Sequence, residues 1–156
     1  MIKLGITGNI ASGKNVVENY IKNAGYPVIN ADNITHDILD NDKKAIKQVC
    51  NIFKPINIKD DSGKISRKKV GEIVFRDKQK LNQLEQVIHP LVNEKIINFF
   101  NQNKDKKLVA VSVPLLYEKE QFAKLFDYVL LVIADDKTRL KRIMKRDCMS
   151  EEQAIL

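Results

Sequence analysis

The sequence predicts an α/β fold built on a doubly wound parallel sheet, and three observations carry that expectation. A glycine-rich loop at residues 8–14 stands between a strand-like opening run and a helical run. Further strand-length apolar runs occur at residues 28–29, 108–113 and 128–133. A helix-length pattern follows the runs, giving the βα alternation that a parallel sheet requires.

The loop is the most informative element. Residues 2–7, Ile-Lys-Leu-Gly-Ile-Thr, read as a short strand, and Gly8, Asn9, Ile10, Ala11, Ser12, Gly13 and Lys14 follow with the spacing GxxxxGK. Two glycines five apart let the backbone curl so that successive amides point inward, and the next helix adds the positive end of its dipole. Lys14 supplies a mobile cation. The hydroxyl residue that this pattern places on Mg²⁺ is here Asn15, followed by Val16. Val16, Val17, Tyr20 and Ile21 continue at helical spacing until Gly25 and Pro27 stop the helix.

Val28 and Ile29 make the second strand, and Asn30, Ala31 and Asp32 lead into a helix carrying Ile34, Ile38 and Leu39. Asp32 reads in two ways at this junction. It caps the helix, or it faces the ligand crevice at the carboxyl ends of the strands.

Residues 40–101 are mostly helical, broken by a turn at Asp60, Asp61, Ser62 and Gly63 and by Pro90, where the pattern predicts an interruption or restart. Ser66 caps a periodic run reaching Phe75. His89 has no His, Cys or carboxylate at ligand spacing, so it reads as structural or substrate-contacting and not as a metal ligand. Residues 108–113 suit a central parallel strand ended by Pro114; Leu115, Leu116, Tyr117 and Glu118 occupy the loop after it. Residues 128–133 form a further buried-strand candidate, with Asp135 and Asp136 beyond it.

The last stretch is basic and helical, with Arg142 and Arg146 one turn apart. Only five of the 27 basic residues are Arg, and Arg139, Arg142 and Arg146 are three of them. Such clustering reads as planar phosphate recognition or as a solvated helix face. Ser150 and Gln153 resemble a capping box for a helix that Leu156 cuts short, which suggests a truncated protein.

With 156 residues and 44% apolar content, the chain is sized for one soluble domain. No long apolar run predicts a membrane span, and no signal peptide precedes the first strand. Cys50 and Cys148 form neither a disulfide framework nor a metal spacing, so a cytoplasmic setting fits. The net charge of +7 favours anionic partners. Nucleic acid is disfavoured, because aromatic residues are few and no basic-aromatic platform is visible.

Five motifs in order resemble the dephospho-CoA kinase family over essentially the whole chain: LGITGNIASGK, VINAD ending at Asp32, LNQLEQVIHP with His89, VPLLYE with Glu118, and TRLKRIMKRD with Arg142 and Arg146. The resemblance implies a P-loop NTPase-type three-layer core at residues 1–35 and 103–136, a helical CoA-substrate region at 36–102, and a partial arginine-bearing lid at 137–156. It implies a four-stranded sheet in spatial order 2-3-1-4, with an unpaired edge beside strand 4. The implied reaction moves the γ-phosphoryl group of ATP to the ribose 3′-hydroxyl of dephospho-CoA. Gly8, Asn9, Ala11, Ser12, Gly13, Lys14, Asn15 and Val16 would hold ATP, and Asn15 and Asp32 would serve Mg²⁺. Lys14, Asp32, Arg142 and Arg146 would be catalytic, with Asp32, His36, Arg67, His89, Leu115, Tyr117 and Glu118 at the substrate. A monomer or weak homo-oligomer is expected.

Asn15 and Val16 depart from the family's Ser-Thr pair, and Asn30 from the first acid of its second-strand pair. Asn15, Val16 and the abrupt end at Leu156 motivate a rival reading, a P-loop homologue of weakened or absent activity. A related nucleoside or small-metabolite kinase is another. A GTPase is excluded: the DxxG at residues 60–63 lies in a helical insertion, and residues 103–106 carry Lys106 where a base-reading acid is required.

Overall fold

The computed structural model describes residues 1–114, 116, 120–148, 150 and 151. The element order is β1 (Ile2–Thr7), α1 (Lys14–Asn23), β2 (Val28–Asn30), α2 (Ala31–Asn41), α3 (Lys43–Ile52), α4 (Arg67–Arg76), α5 (Lys78–Gln102), β3 (Leu108–Ser112), α6 (Glu120–Ala123), β4 (Tyr128–Leu131) and α7 (Asp136–Asp147). Leu115, Tyr117 and Glu118, and the Gln153 half of the expected capping box, lie outside the described residues.

The sheet has four parallel strands in the order β2-β3-β1-β4, as expected. β3 is central for a physical reason: its Val109, Ala110 and Val111 are wholly buried, and such a run suits a strand covered on both faces. Strand pairing aligns Ile6 with Ser112 and Thr7 with Leu131, so β1 delivers its glycine loop beside the carboxyl ends of both neighbours.

The apolar run at 128–133 does not form a buried strand. Among the described residues β4 pairs with β1 alone, and Tyr128 (65%), Leu131 (50%) and Ile133 (80%) are exposed. Apolar content reports strand propensity; burial depends on what lies beyond the edge.

α1 ends in a Schellman motif. Gly25 takes φ +83°, its amide donates to the Lys22 carbonyl at 2.9 Å, and Tyr26 donates to Ile21 at 3.2 Å. Its apolar stripe is only partly covered, Val17 and Ile21 being half-buried. Val16 and Tyr20 are exposed while Glu18 is buried, accepting from Asn30 Nδ2 at 3.2 Å.

The chain forms two compact units, residues 1–31 with 100–156, and residues 32–99. The second is helical. Asp42 caps α3 by accepting from the amides of Lys44 and Ala45, and Ser66 caps α4 by accepting from Lys69. Pro90 neither interrupts nor restarts α5, which runs unbroken for 25 residues. An interior proline costs about 3 kcal/mol. Ile88, Val92 and Ile96, spaced four apart, are all buried, and each contributes about 1.5–3 kcal/mol, so one continuous helix wins.

Candidate functional site

The first unit builds its site from the end of β1, the loop of residues 8–13 and the start of α1. Gly13 is the N-cap of α1, at φ +109° and with no side-chain cap, and Ala11 is left-handed at φ +58°. The loop is therefore curled by its backbone. Ser12 N–H donates to the Asn9 carbonyl at 3.1 Å and Val16 N–H to Gly13 at 3.0 Å. Gly8 has φ +155°, and a Cβ there would overlap the Val132 carbonyl oxygen and lie 2.7 Å from Ser12 Oγ. Only glycine fits where the loop leaves β1 past the end of β4.

Lys14 Nζ turns back over the loop and donates to Gly8 O at 2.6 Å and Asn9 O at 3.1 Å. The ammonium thus sits at the loop, against the carbonyls of Gly8 and Asn9. A polyanion bound there would offer it charged acceptors, which make stronger bonds than carbonyls.

α7 approaches the loop from the other side. Asp135 caps it, accepting from the Thr138 amide at 2.9 Å and hydroxyl at 2.7 Å, bonds that hold the Asp135 carboxyl below its usual range. Arg142 Nη1 donates to the carbonyls of Ala11 and Ser12, both at 3.0 Å. Arg139 Nε donates to the Ile10 carbonyl at 3.1 Å, and its Nη1 pairs with Asp136 at 2.9 Å. Arg146 takes a different partner: two bonds of 2.8 and 2.7 Å to Asp147 raise its affinity for its proton and lower that of the carboxylate.

The expected residues therefore divide. Lys14 joins Gly8 and Asn9, and Arg142 joins Ala11 and Ser12, in one constellation of the first unit. Asn15 and Val16 lie exposed in the first turn of α1. In the second unit, Asp32 is the second residue of α2, two positions past the end of β2, and His36 lies one turn further on; both are exposed. Arg67 opens α4 and His89 lies mid-way along α5.

Sequence reasoning gave Arg139 no role of its own. Its signal is its spacing of three from Arg142, which puts both on one helix face. Ser12 Oγ and Ser112 Oγ are buried and have no partner among the described residues; Ser112, at the end of β3, was not singled out by any motif.

Among the described residues, no three His, Cys, Asp or Glu side chains converge as a metal cage, and no helix is long and apolar enough to cross a membrane. Mg²⁺ held by phosphates and water needs few protein ligands, and the exposed Asn15 amide oxygen is a hard donor of the right kind.

The family model described as "Dephospho-CoA kinase" matches residues 2–155. The dephospho-CoA kinase of Fusobacterium nucleatum is 40% identical over 154 residues, covering 97% of this chain and 76% of that protein. The one from Shouchella clausii is 35% identical over 156 residues, covering 98% and 78%. Among solved structures, the Thermus thermophilus protein TT1252 superposes with a TM-score of 0.83 at 30% identity, covering 99% of this chain and 76% of that one. Dephospho-CoA kinase from Campylobacter jejuni gives 0.68 at 32% identity, with 98% and 76% covered. A phosphate loop followed by this run of matches along nearly every residue leaves one assignment: the chain belongs to the dephospho-CoA kinase family.

Proposed function

We propose that this chain binds the ATP polyphosphate in the loop of residues 8–16 and transfers its terminal phosphoryl group to the ribose 3′-hydroxyl of dephospho-CoA. The observation that carries the reading is the Lys14 ammonium held at 2.6 Å from Gly8 O, at the mouth of a loop closed by α1's uncapped N-terminus. As a kinase of this family the protein is a transferase with ATP as a substrate. Phosphoryl transfer asks little covalent work of the protein, so positioning and charge neutralisation dominate.

Lys14 and the loop amides hold the β and γ phosphates. Asp32 accepts the 3′-hydroxyl proton or orients that hydroxyl, and Arg142 and Arg146 meet the charge of the transferring group. His36, Arg67 and His89 contact the acceptor, together with Leu115, Tyr117 and Glu118. In this division of labour the nucleotide falls to the loop of residues 8–16 and α7, and the helical unit supplies Asp32, His36, Arg67 and His89 to dephospho-CoA. Asn15 and Asp32 would be the oxygen donors for Mg²⁺, which when bound would offset phosphate charge.

ADP release that requires dephospho-CoA, and is absent with nucleosides or shikimate-like alcohols, tests the acceptor. Asp32→Asn is expected to lower that rate by about 10²–10⁴-fold while ATP binding persists. A rate within twofold of the parent removes Asp32 from the proton's path.

The rival reading, nucleotide binding without turnover, draws on Asn15. An amide is longer than a serine hydroxyl and shifts the ion or leaves a water between. Asn15→Ser is therefore expected to raise turnover about tenfold at limiting Mg²⁺, read from the rate across a Mg²⁺ titration. An unchanged curve contradicts the metal role of this position.

A further inference from the structure

The phosphate loop is gripped at three carbonyls by two guanidinium groups, and the peptide plane makes that grip directional. A peptide unit is rigid, with its carbonyl oxygen and the next residue's N–H pointing to opposite sides. Arg142 holds the oxygens of Ala11 and Ser12, so it aims the amides of Ser12 and Gly13. Arg139 holds the oxygen of Ile10, and so aims the amide of Ala11. Ala11 has φ +58°, a conformation that costs a non-glycine residue about 1–2 kcal/mol, and the bond from Arg139 acts on the peptide leading into that residue.

A surface ion pair does not explain Arg139. Its partner Asp136 is 96% exposed, whereas the Arg139 side chain is only 23% exposed. Open ion pairs contribute little. The Arg139 guanidinium is held at both ends, Nη1 by Asp136 and Nε by Ile10 O. A cation on the carbonyl also polarises the peptide and strengthens its N–H as a donor.

We infer that Arg139 is a positioning residue for the nucleotide. It touches no phosphate; by fixing the Ile10 carbonyl it presets the Ala11 amide toward the polyphosphate, and it keeps the loop apex in its binding shape before ligand arrives. This rests on the proposed ATP site for its consequence, and on the loop alone for its structural content.

The test reads both in the full chain. In the ligand-free protein, the Ser12 amide, which donates to Asn9 O, is expected to exchange with solvent about tenfold faster in Arg139→Ala than in the parent, with the amide of Val111 in β3 unchanged. ATP, measured by calorimetry, is expected to bind about tenfold more weakly, with kcat at saturating ATP kept within about twofold. Arg139→Lys, which keeps a cationic donor without the planar fork, is expected to recover part of both losses. Equal acceleration at Ser12 and Val111 would mean a merely structural role, and an unchanged Ser12 rate would overturn the inference outright. If the parent binds no ATP while Ser12 still responds to Arg139→Ala, the loop-positioning inference stands and the proposed nucleotide site falls.

Discussion

Lys14→Ala is expected to lower phosphoryl transfer by about 10²–10³-fold or more while leaving the fold intact. The ammonium is already at the loop, 2.6 Å from Gly8 O and 3.1 Å from Asn9 O, so little reorganisation is needed when a polyphosphate arrives. Charge that develops on the transferring group then meets a preset cation, and preset charge stabilises the transition state most efficiently. Stability should not suffer. Lys14 is the first residue of α1, where a cation opposes the helix dipole, and the first turn of α1 carries no acidic residue. Its two carbonyl acceptors lie in a part-exposed loop that water reaches. The check is a steady-state ADP assay beside a thermal melt: a large loss of kcat with Tm kept within about 2 °C. A parallel fall of both would make Lys14 a structural residue.

Gly8→Ala is expected to act on the fold itself. An added Cβ overlaps the carbonyl oxygen of Val132, a backbone atom that cannot swing aside as a side-chain tip can. Val132 N–H donates to Thr7 O at 2.8 Å, the bond that ties the chain beyond β4 to the end of β1. Relieving the overlap pulls that bond apart and disturbs Ser12, whose Oγ lies 2.7 Å from the added carbon. A cost of about 3 kcal/mol or more follows, in the upper range for single substitutions, and lowers Tm by about 6–12 °C for a chain of this size. Gly25 makes the useful contrast, with nothing within 4 Å of an added Cβ: it serves the turn alone. A Gly8→Ala protein melting within about 2 °C of the parent would contradict the close approach.

The topology was legible because it rests on patterns that survive without tertiary context. The wholly buried Val109–Val111 segment announces a central strand, and Gly8, Gly13 and Lys14 at their spacing announce a phosphate loop after β1. Three features were not legible, each for a tertiary reason. Pro90 signals a break, yet the Ile88, Val92 and Ile96 stripe on both sides of it is buried as one surface. Residues 128–131 carry the composition of an interior strand and lie at an edge, since local composition does not record neighbours. On α1, the helical spacing of Val16, Val17, Tyr20 and Ile21 does not show that Val16 and Tyr20 are exposed while Glu18 is buried and accepts from Asn30 Nδ2.

The site divides in the same way. Lys14 and the loop were readable from spacing, whereas the hold of Arg139 and Arg142 on carbonyls about 130 residues away in sequence depends on where α7 packs. Spacing shows that these arginines share a helix face and is silent on what that face meets. The roles assigned to Asp32, His36, Arg67 and His89 come from motif resemblance, and kinetics of their variants decides them.

The most direct measurement is a structure of this chain with a non-hydrolysable ATP analogue and dephospho-CoA bound. The account predicts Lys14 Nζ within about 3 Å of a β- or γ-phosphate oxygen and an Asp32 carboxylate oxygen within about 3 Å of the ribose 3′-hydroxyl. A polyphosphate bound away from residues 8–16, or a ribose 3′-hydroxyl bound away from Asp32, would contradict it.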